Sequence, residues 1–324
     1  MANYFITGGA GFIGSHLAER LLADGNHVTA LDNLSSGSMD NITHLMGLPR
    51  FTFLRHDVME VEVLAEQVAT ADAVYHLAAT VGVYNIIRSP VETIRNNIDG
   101  TEAVLRAASL RKTKVLLTST SEVYGKSDRA PFGEDDDLVL GATSKGRWSY
   151  AASKIIDEFL ALAYWREFQV PTVVVRLFNT IGPRQTGEYG MVVPRFIRQA
   201  LRDEDVTVFG SGDQTRSFTD VTDVVEWLVR LANCDAAVGQ VLNLGNPTEI
   251  AISGLATRII ELAGSASSVR YIPYTEAYED GFEDIARRLP DIAKVVALTG
   301  YSPLVPLDES LRRIHAWCAQ RVEA

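Results

Sequence analysis

The chain is short of cysteine, of positive charge, of long hydrophobic runs and of repeats, and each shortage removes a class of protein. Its 324 residues hold two cysteines, Cys234 and Cys318, set far apart. A disulfide framework needs several, and a structural zinc needs ligand neighbours that neither has. Both read as buried apolar side chains, and no metal site is expected. Lysine and arginine total 30 against 41 acidic residues, a formal net charge of −11. A dedicated nucleic-acid binder shows a basic face, so nucleic acid is not expected as a partner. No apolar run approaches the roughly 18 residues of a membrane span. The chain enters a strand-like run at Asn3 and a glycine turn at Gly8, which leaves no signal peptide and predicts a cytoplasmic protein without a membrane partner.

What is present is alternation. Consecutive apolar runs at Tyr4–Thr7, Val28–Leu31, Phe51–Leu54, Ala73–Leu77, Lys114–Thr118, Thr172–Leu177 and Val241–Leu244 read as strands. Amphipathic stretches at Phe12–Ala23, Val91–Ser109 and Tyr150–Glu167 read as helices between them. Strands apolar on both faces and separated by helices imply a parallel sheet covered on both sides. The expected class is α/β, a doubly wound sheet of at least six strands. After Leu177 the pattern loosens into a polar stretch, Asn179–Gly190, followed by helices at Val192–Leu201, Val221–Ala232, Ile252–Leu262 and Leu307–Arg321. Val206–Phe209 reads as a strand, and a loop rich in Tyr, Glu and Asp precedes the last helix. The acidic run Glu134–Asp137 reads as a solvated loop. Residues 1–177, with about 213–243 returning, are expected to form the first domain. Residues 178–212 and 244–324 are expected to form a smaller, substrate-binding one.

The opening strand runs into Thr7-Gly8-Gly9-Ala10-Gly11-Phe12-Ile13-Gly14 and straight on to a helix. Gly8 permits a sharp turn, Gly11 a close approach to a pyrophosphate, and Gly14 close packing of helix on strand. The amides at the helix start then face the phosphates. The second strand ends at Asp32, where a carboxylate accepts the ribose hydroxyls of NAD and repels the 2′-phosphate of NADP. No arginine follows; the next residues are Asn33, Leu34, Ser35 and Ser36. NAD is the expected cofactor, on a Rossmann domain.

A second constellation lies further on. Tyr150-Ala-Ala-Ser-Lys154 puts a phenol and an ammonium on one helix face. A phenol has a pKa near 10, so a base at neutral pH needs a shift of roughly 3, or about 4 kcal/mol, which a neighbouring ammonium favours by sign. The fifth strand leads to Thr120-Ser121-Glu122-Val123-Tyr124, and strand ends of this kind line the ligand crevice. Tyr124, His56 and His76 read as structural.

These motifs together resemble the extended short-chain dehydrogenase/reductase family over essentially the whole chain. The resemblance implies that Tyr150, Lys154 and Thr120 are catalytic. It extends the cofactor set beyond Gly8, Gly11, Gly14 and Asp32 to Phe12, Ile13, Asn33, Ser35, Gly37, Asp57, Val58, Leu77, Ala78, Ala79 and Asn97. Phe178 is implied to cover the nicotinamide. For a UDP-sugar substrate it implies Ser121, Glu122, Asn179, Thr180, Val193, Thr207, Val208 and Phe209, with Arg216 and Arg288 as diphosphate ligands and Arg184 in the same positive pocket. A homodimer is implied, with helices Val91–Ser109 and Tyr150–Glu167 pairing across subunits.

Within the family the chain is similar to nucleotide-sugar epimerases and decarboxylases. Both begin by oxidising the sugar at C4; the ketone then either returns as the other epimer or, with a carboxylate at C6, loses CO2. Dehydration is disfavoured, because Ser121-Glu122 stands where dehydratases have Asp-Glu. Thr-Ser-Glu-Val-Tyr-Gly resembles the UDP-glucuronate decarboxylases, one branch of which shares Arg147-Trp148-x-Tyr150, although many have Asp-Glu-Gly between Tyr and Lys. Thr186 replaces the second arginine of many UDP-glucuronate 4-epimerases. The first expectation is C4 epimerisation of UDP-glucuronate to UDP-galacturonate, with UDP-glucose/UDP-galactose next. The alternative is decarboxylation to UDP-xylose. A non-catalytic NAD-binding protein and a simple redox enzyme that releases NADH are the more distant rivals.

Overall fold

In a computed structural model describing residues 1–80, 89–127, 129–187, 191–277, 285 and 287–322, the apolar runs become parallel strands. In chain order they are β1 (Asn3–Thr7), β2 (His27–Leu31), β3 (Phe51–Leu54), β4 (Ala73–His76), β5 (Lys114–Thr120) and β6 (Thr172–Leu177). β11 (Val241–Leu244) joins the far edge after a long excursion, giving the order β11-β6-β5-β4-β1-β2-β3 with every pair parallel. The order reverses between β1 and β4, and a doubly wound sheet opens its ligand crevice beyond the strand ends at such a point.

Alternate residues of each strand enter opposite cores, which is why the runs are apolar throughout. Ile6, Tyr75, Leu116, Val173 and Val175 pack with α1 (Phe12–Ala23) and α6 (Val221–Ala232). Phe5, Val74, Val115, Leu117 and Val174 pack on the other side. There they meet α2 (Val61–Thr70), α3 (Pro90–Ser109) and α4 (Trp148–Phe168). Each such side chain, fully buried, contributes about 1.5–3 kcal/mol. A separate cluster joins α5 (Val192–Leu201), β8 (Val206–Phe209), α7 (Ile252–Ala263) and α10 (Leu307–Val322) around Phe196, Leu255 and Ile314.

Several elements differ from the sequence reading. Helix α2 is absent from it, although Val61, Leu64, Ala65 and Val68 recur at i, i+3, i+4 and i+7 and Leu64 and Val68 are buried. Also unforeseen are β7 (Thr180–Ile181), β9 (Thr215–Ser217), β10 (Thr219–Asp220), β12 (Glu249–Ala251), β13 (Val269–Ile272), α8 (Tyr274–Ala277), β14 (Arg287–Arg288) and α9 (Ala293–Thr299). Such short pieces are held by pairing partners rather than by local pattern. The two cores exchange chain at different points from those expected: Phe218 packs in the second cluster, whereas Val295 of α9 packs in the first. The acidic run is only partly solvated, since Glu134 Oε1 accepts the Asn243 amide at 2.9 Å and Asp136 Oδ2 accepts Gly133 N at 2.8 Å. Cys318 is buried as expected, but Cys234 is only half-buried. Part of the Tyr/Glu/Asp-rich loop (278–284 and 286) and the end of the polar stretch (188–190) lie outside the described residues. No described helix is long and apolar enough to cross a membrane.

Candidate functional site

The crevice begins at the glycine turn. Gly8 has φ +73°, and a Cβ there would lie 2.8 Å from the Ala78 nitrogen. A Cβ at Gly14 would overlap the Gly8 carbonyl oxygen, so β1, the loop after β4 and the start of α1 meet without intervening side chains. Helix α1 starts at Gly11 with no side-chain cap and no acidic residue in its first turn. Its amide dipoles, including those of Phe12 and Ile13, are thereby left for an anion. Beside this start, buried Asp32 accepts Ala10 N at 3.0 Å and Leu34 N at 2.8 Å. Burial raises its pKa and these amides oppose the rise. The Gly11 amide acts in the same sense, and a carboxylate offers about four acceptor positions, so acceptor capacity remains for a ribose hydroxyl. A Cβ on Gly37 would touch that carboxylate. Asn33 Nδ2 donates to Asp57 Oδ2 at 2.7 Å, and the Asn33 side chain accepts Ser35 N at 2.9 Å, which joins the loops after β2 and β3. Val58 lies next to Gly100, and Leu77, Ala78 and Ala79 are half-buried beyond β4. This cradle fits a dinucleotide.

The second half of the crevice comes from α4. Tyr150 is buried and hydrogen-bonded to Thr120 at the end of β5. Its pKa is raised, first by burial and then by the charges of Glu122 and Asp157, with the Thr120 hydrogen bond acting the other way. Lys154 Nζ donates to Asp157 Oδ2 at 2.8 Å, both groups buried. The sequence pattern promises an unopposed ammonium beside the phenol; the fold gives that ammonium a counter-ion. Asn97 of α3 accepts Thr80 N at 2.8 Å and donates to Ser153 Oγ at 3.1 Å, and Ser153 Oγ donates to the Tyr150 carbonyl at 2.8 Å. Asn97 therefore ties the loop after β4 to the turn that carries Tyr150. His76 is structural: its ring bonds Thr7 Oγ1 at 2.8 Å and Thr101 Oγ1 at 3.2 Å. Burial, with Lys154 nearby, lowers its pKa to about 3, so the imidazole is neutral. His56 pairs with Glu60 at the surface.

Further along, Ser121 is buried and Glu122 approaches Arg288 Nη1 at 3.6 Å. β14 runs parallel to β9 with Arg288 opposite Arg216, so the two arginines separated in sequence are cross-strand neighbours. Arg288 Nε is buried without a hydrogen-bond acceptor among the described residues, an arrangement that an anionic ligand relieves. Asn179 Nδ2 donates to the Ser217 carbonyl at 2.8 Å, and Thr180 pairs with Thr219 in the β7–β10 bridge.

Other residues are placed differently from the sequence reading. Arg184 does not join the arginine pair: it donates to Ser15 Oγ at 3.1 Å and Glu19 Oε1 at 2.5 Å on α1. Phe178 has no exposed surface and packs with Val123, Tyr124 and Phe132, so its ring offers nothing to a cofactor. Val193 and Val208 are likewise sealed in the second core. Thr207 is held by Arg195 and Gln199, and Phe209 lies 4.2 Å beneath the Arg195 guanidinium.

Two groups escaped the sequence reading. Asp157 had a signal, its i+3 spacing from Lys154. The other is a buried network under the crevice: Arg176 of β6 donates to Glu158 Oε2 at 2.8 Å and to Tyr124 Oη at 2.9 Å. The Tyr124 hydroxyl bonds Asn243 Oδ1 at 2.8 Å, and burial pushes its pKa up to about 12. No local pattern links β6, α4, β11 and the loop after β5. Among the described residues no cluster of His, Cys, Asp and Glu gathers in a way that could hold a metal ion.

Comparison with known proteins bears on what this geometry does. Residues 4–245 match the family model described as the NAD dependent epimerase/dehydratase family. A UDP-N-acetyl-alpha-D-glucosaminuronate decarboxylase of Bacillus cytotoxicus is 42% identical over 314 residues, spanning 96% of both proteins. UDP-glucuronic acid decarboxylase 1 of Xenopus tropicalis is 40% identical over 311 residues, 95% of this chain and 70% of that protein. Among solved structures, the UDP-glucuronic acid 4-epimerase from Bacillus cereus in complex with UDP-glucuronic acid and NAD superposes with a TM-score of 0.89. It is 30% identical, with 98% of this chain and 99% of that one covered.

Proposed function

The chain belongs to the NAD dependent epimerase/dehydratase family, and from that membership we propose that it decarboxylates a UDP-hexuronate through a 4-keto intermediate. This replaces epimerisation, the first expectation from sequence, as the preferred reading. The observation that carries it is the carboxylate at the end of β5. Glu122 stands 3.6 Å from Arg288, and its charge helps to raise the pKa of Tyr150. Epimerisation needs only a base at the C4 hydroxyl and a hydrogen carrier. Decarboxylation also needs a group to manage the proton at C5. The two decarboxylase relatives, at 42% and 40% identity, support the same choice.

In this reading Tyr150 takes the proton of the C4 hydroxyl while Thr120 hydrogen-bonds the same oxygen. The glycine turn and Asp32 would hold NAD, which when bound would supply the hydride acceptor and donor that oxidation and re-reduction at C4 require. Once C4 is a ketone, the C6 acid is a β-keto acid. The C5–C6 bond breaks, CO2 leaves, and the electron pair passes to the C4 oxygen, which Tyr150 and Thr120 hold. Glu122 handles the proton that C5 then gains, and Arg216 and Arg288 bind the diphosphate or carboxylate charge. The net change is UDP-hexuronate plus a proton to UDP-pentose plus CO2.

The second reading, C4 epimerisation, is supported by the likeness to the Bacillus cereus epimerase. Incubation with NAD and either UDP-glucuronate or UDP-N-acetylglucosaminuronate, followed by mass-resolved chromatography, separates the two. Release of CO2 with a correspondingly lighter nucleotide sugar is the expected outcome. An isobaric product would transfer the assignment to epimerisation, steady accumulation of NADH absorbance would mean a simple redox enzyme, and no turnover of either acid would end both acid-sugar readings.

A homodimer through α3 and α4 belongs to the same proposal. These helices pack side by side and leave Val91, Ile94, Ile156 and Phe159 exposed, Phe159 at 69%. Exposed apolar side chains gathered on one helix pair favour a protein partner.

A further inference from the structure

Helix α4 carries Tyr150, Lys154 and Asp157 at positions that share one face of the helix. The reading of the reaction given above uses the first two. Asp157 has no role in it, yet its side chain has no exposure, and it holds the Lys154 ammonium at 2.8 Å. An isolated charge at such depth is costly, and removing one member of a buried pair leaves the other uncompensated. Among the described residues, the groups named around Asp157 do not supply another cation to it. Thr101 of α3 meets it as a neutral hydroxyl. His76 of β4, on the far side of Thr101 at 3.2 Å, is an uncharged ring. Glu158, the next residue, is committed to Arg176 of β6 at 2.8 Å.

We propose that Asp157 is a positioning residue that fixes the Lys154 ammonium against α4 and offsets its charge at the Tyr150 phenol. Two consequences follow from the geometry. The ammonium is held in place before any ligand arrives, so little ordering remains to be done when a ribose hydroxyl reaches it. The phenol faces a neutral Lys154–Asp157 pair instead of a bare cation, and therefore holds its proton until further positive charge enters the crevice. The charges acting on the phenol are Glu122 from the turn after β5, itself 3.6 Å from Arg288 of β14, and, from its own helix, Asp157, which holds Lys154 at 2.8 Å. Burial and the charges of Glu122 and Asp157 act together to keep it protonated.

The inference rests on Tyr150 as the base of the proposed reaction, but its test does not require that a substrate be known. Phenolate absorbance of the NAD-saturated protein is titrated against pH, and the curve of Tyr150→Phe is subtracted to isolate one tyrosine. Asp157→Asn is expected to move the midpoint down by about one pH unit, and Asp157→Glu to leave it at the wild-type value. Asp157→Ser, which leaves room for a water, serves if the asparagine variant does not fold. An unmoved or raised midpoint in the neutral variants would overturn the proposal. On a UDP-hexuronate that is turned over, the acid limb of kcat should fall with the midpoint. If no such sugar is turned over, the substrate assignment fails while the phenolate titration still decides the role of Asp157.

Discussion

At Tyr150 the difficulty is one of sign. Burial and two carboxylates stabilise the neutral phenol, whereas a base near neutral pH needs the phenolate favoured by about 4 kcal/mol over its ordinary state. The Thr120 hydroxyl opposes them, and the Lys154 ammonium is held by Asp157 at 2.8 Å. Tyr150→Phe removes one oxygen and leaves the ring's packing. We expect turnover to fall by at least about 100-fold, while NAD affinity measured by calorimetry stays within a few-fold of wild type. Near-normal turnover would remove Tyr150 from the proton transfer.

The elements that build the site are held to one another by a buried ion pair. Arg176 on β6 and Glu158 on α4 meet through several hydrogen bonds, joined by Ser119 Oγ from β5 at 2.5 Å. Burial alone would weaken the guanidinium's hold on its proton; Glu158 and Tyr124 more than reverse that. Glu158→Gln keeps the shape but strands the arginine's charge. It should cost about 3–5 kcal/mol in denaturant unfolding. The solvent-exposed pair Glu309–Arg312 at 3.4 Å is the contrast: Glu309→Gln should change stability by no more than about 0.5 kcal/mol. Equal small effects for both would mean that the buried pair does not brace the crevice.

For the whole molecule, the net charge of −11 is a property of the surface and does not describe the pocket. Arg216 and Arg288 lie opposite each other on adjacent short strands, one buried and the other half-buried. The proposed dimer is likewise a property of a surface, that of α3 and α4. Phe159→Asp places a charge in the middle of that face, and sedimentation should detect a shift from dimer to monomer with the circular dichroism unchanged. A wild-type monomer at micromolar concentration would rule the interface out.

The sequence by itself determined what short-range pattern encodes. Apolar runs of strand length gave β3, β6 and β11 with the observed ends, because residues apolar on both faces have no stable place except a covered sheet. The turn Gly8–Gly14, Asp32 and the Tyr150/Lys154 spacing were legible for the same reason: each depends on neighbours within one turn or one strand-helix step. Tertiary structure alone decided the charges. It sent Arg184 to Glu19, paired Arg216 with Arg288 and sealed Phe178 from the crevice. A side chain's type is written in the chain, but its electrostatic value is set by the partner it meets and the water it loses, and most of these partners arrive from distant segments.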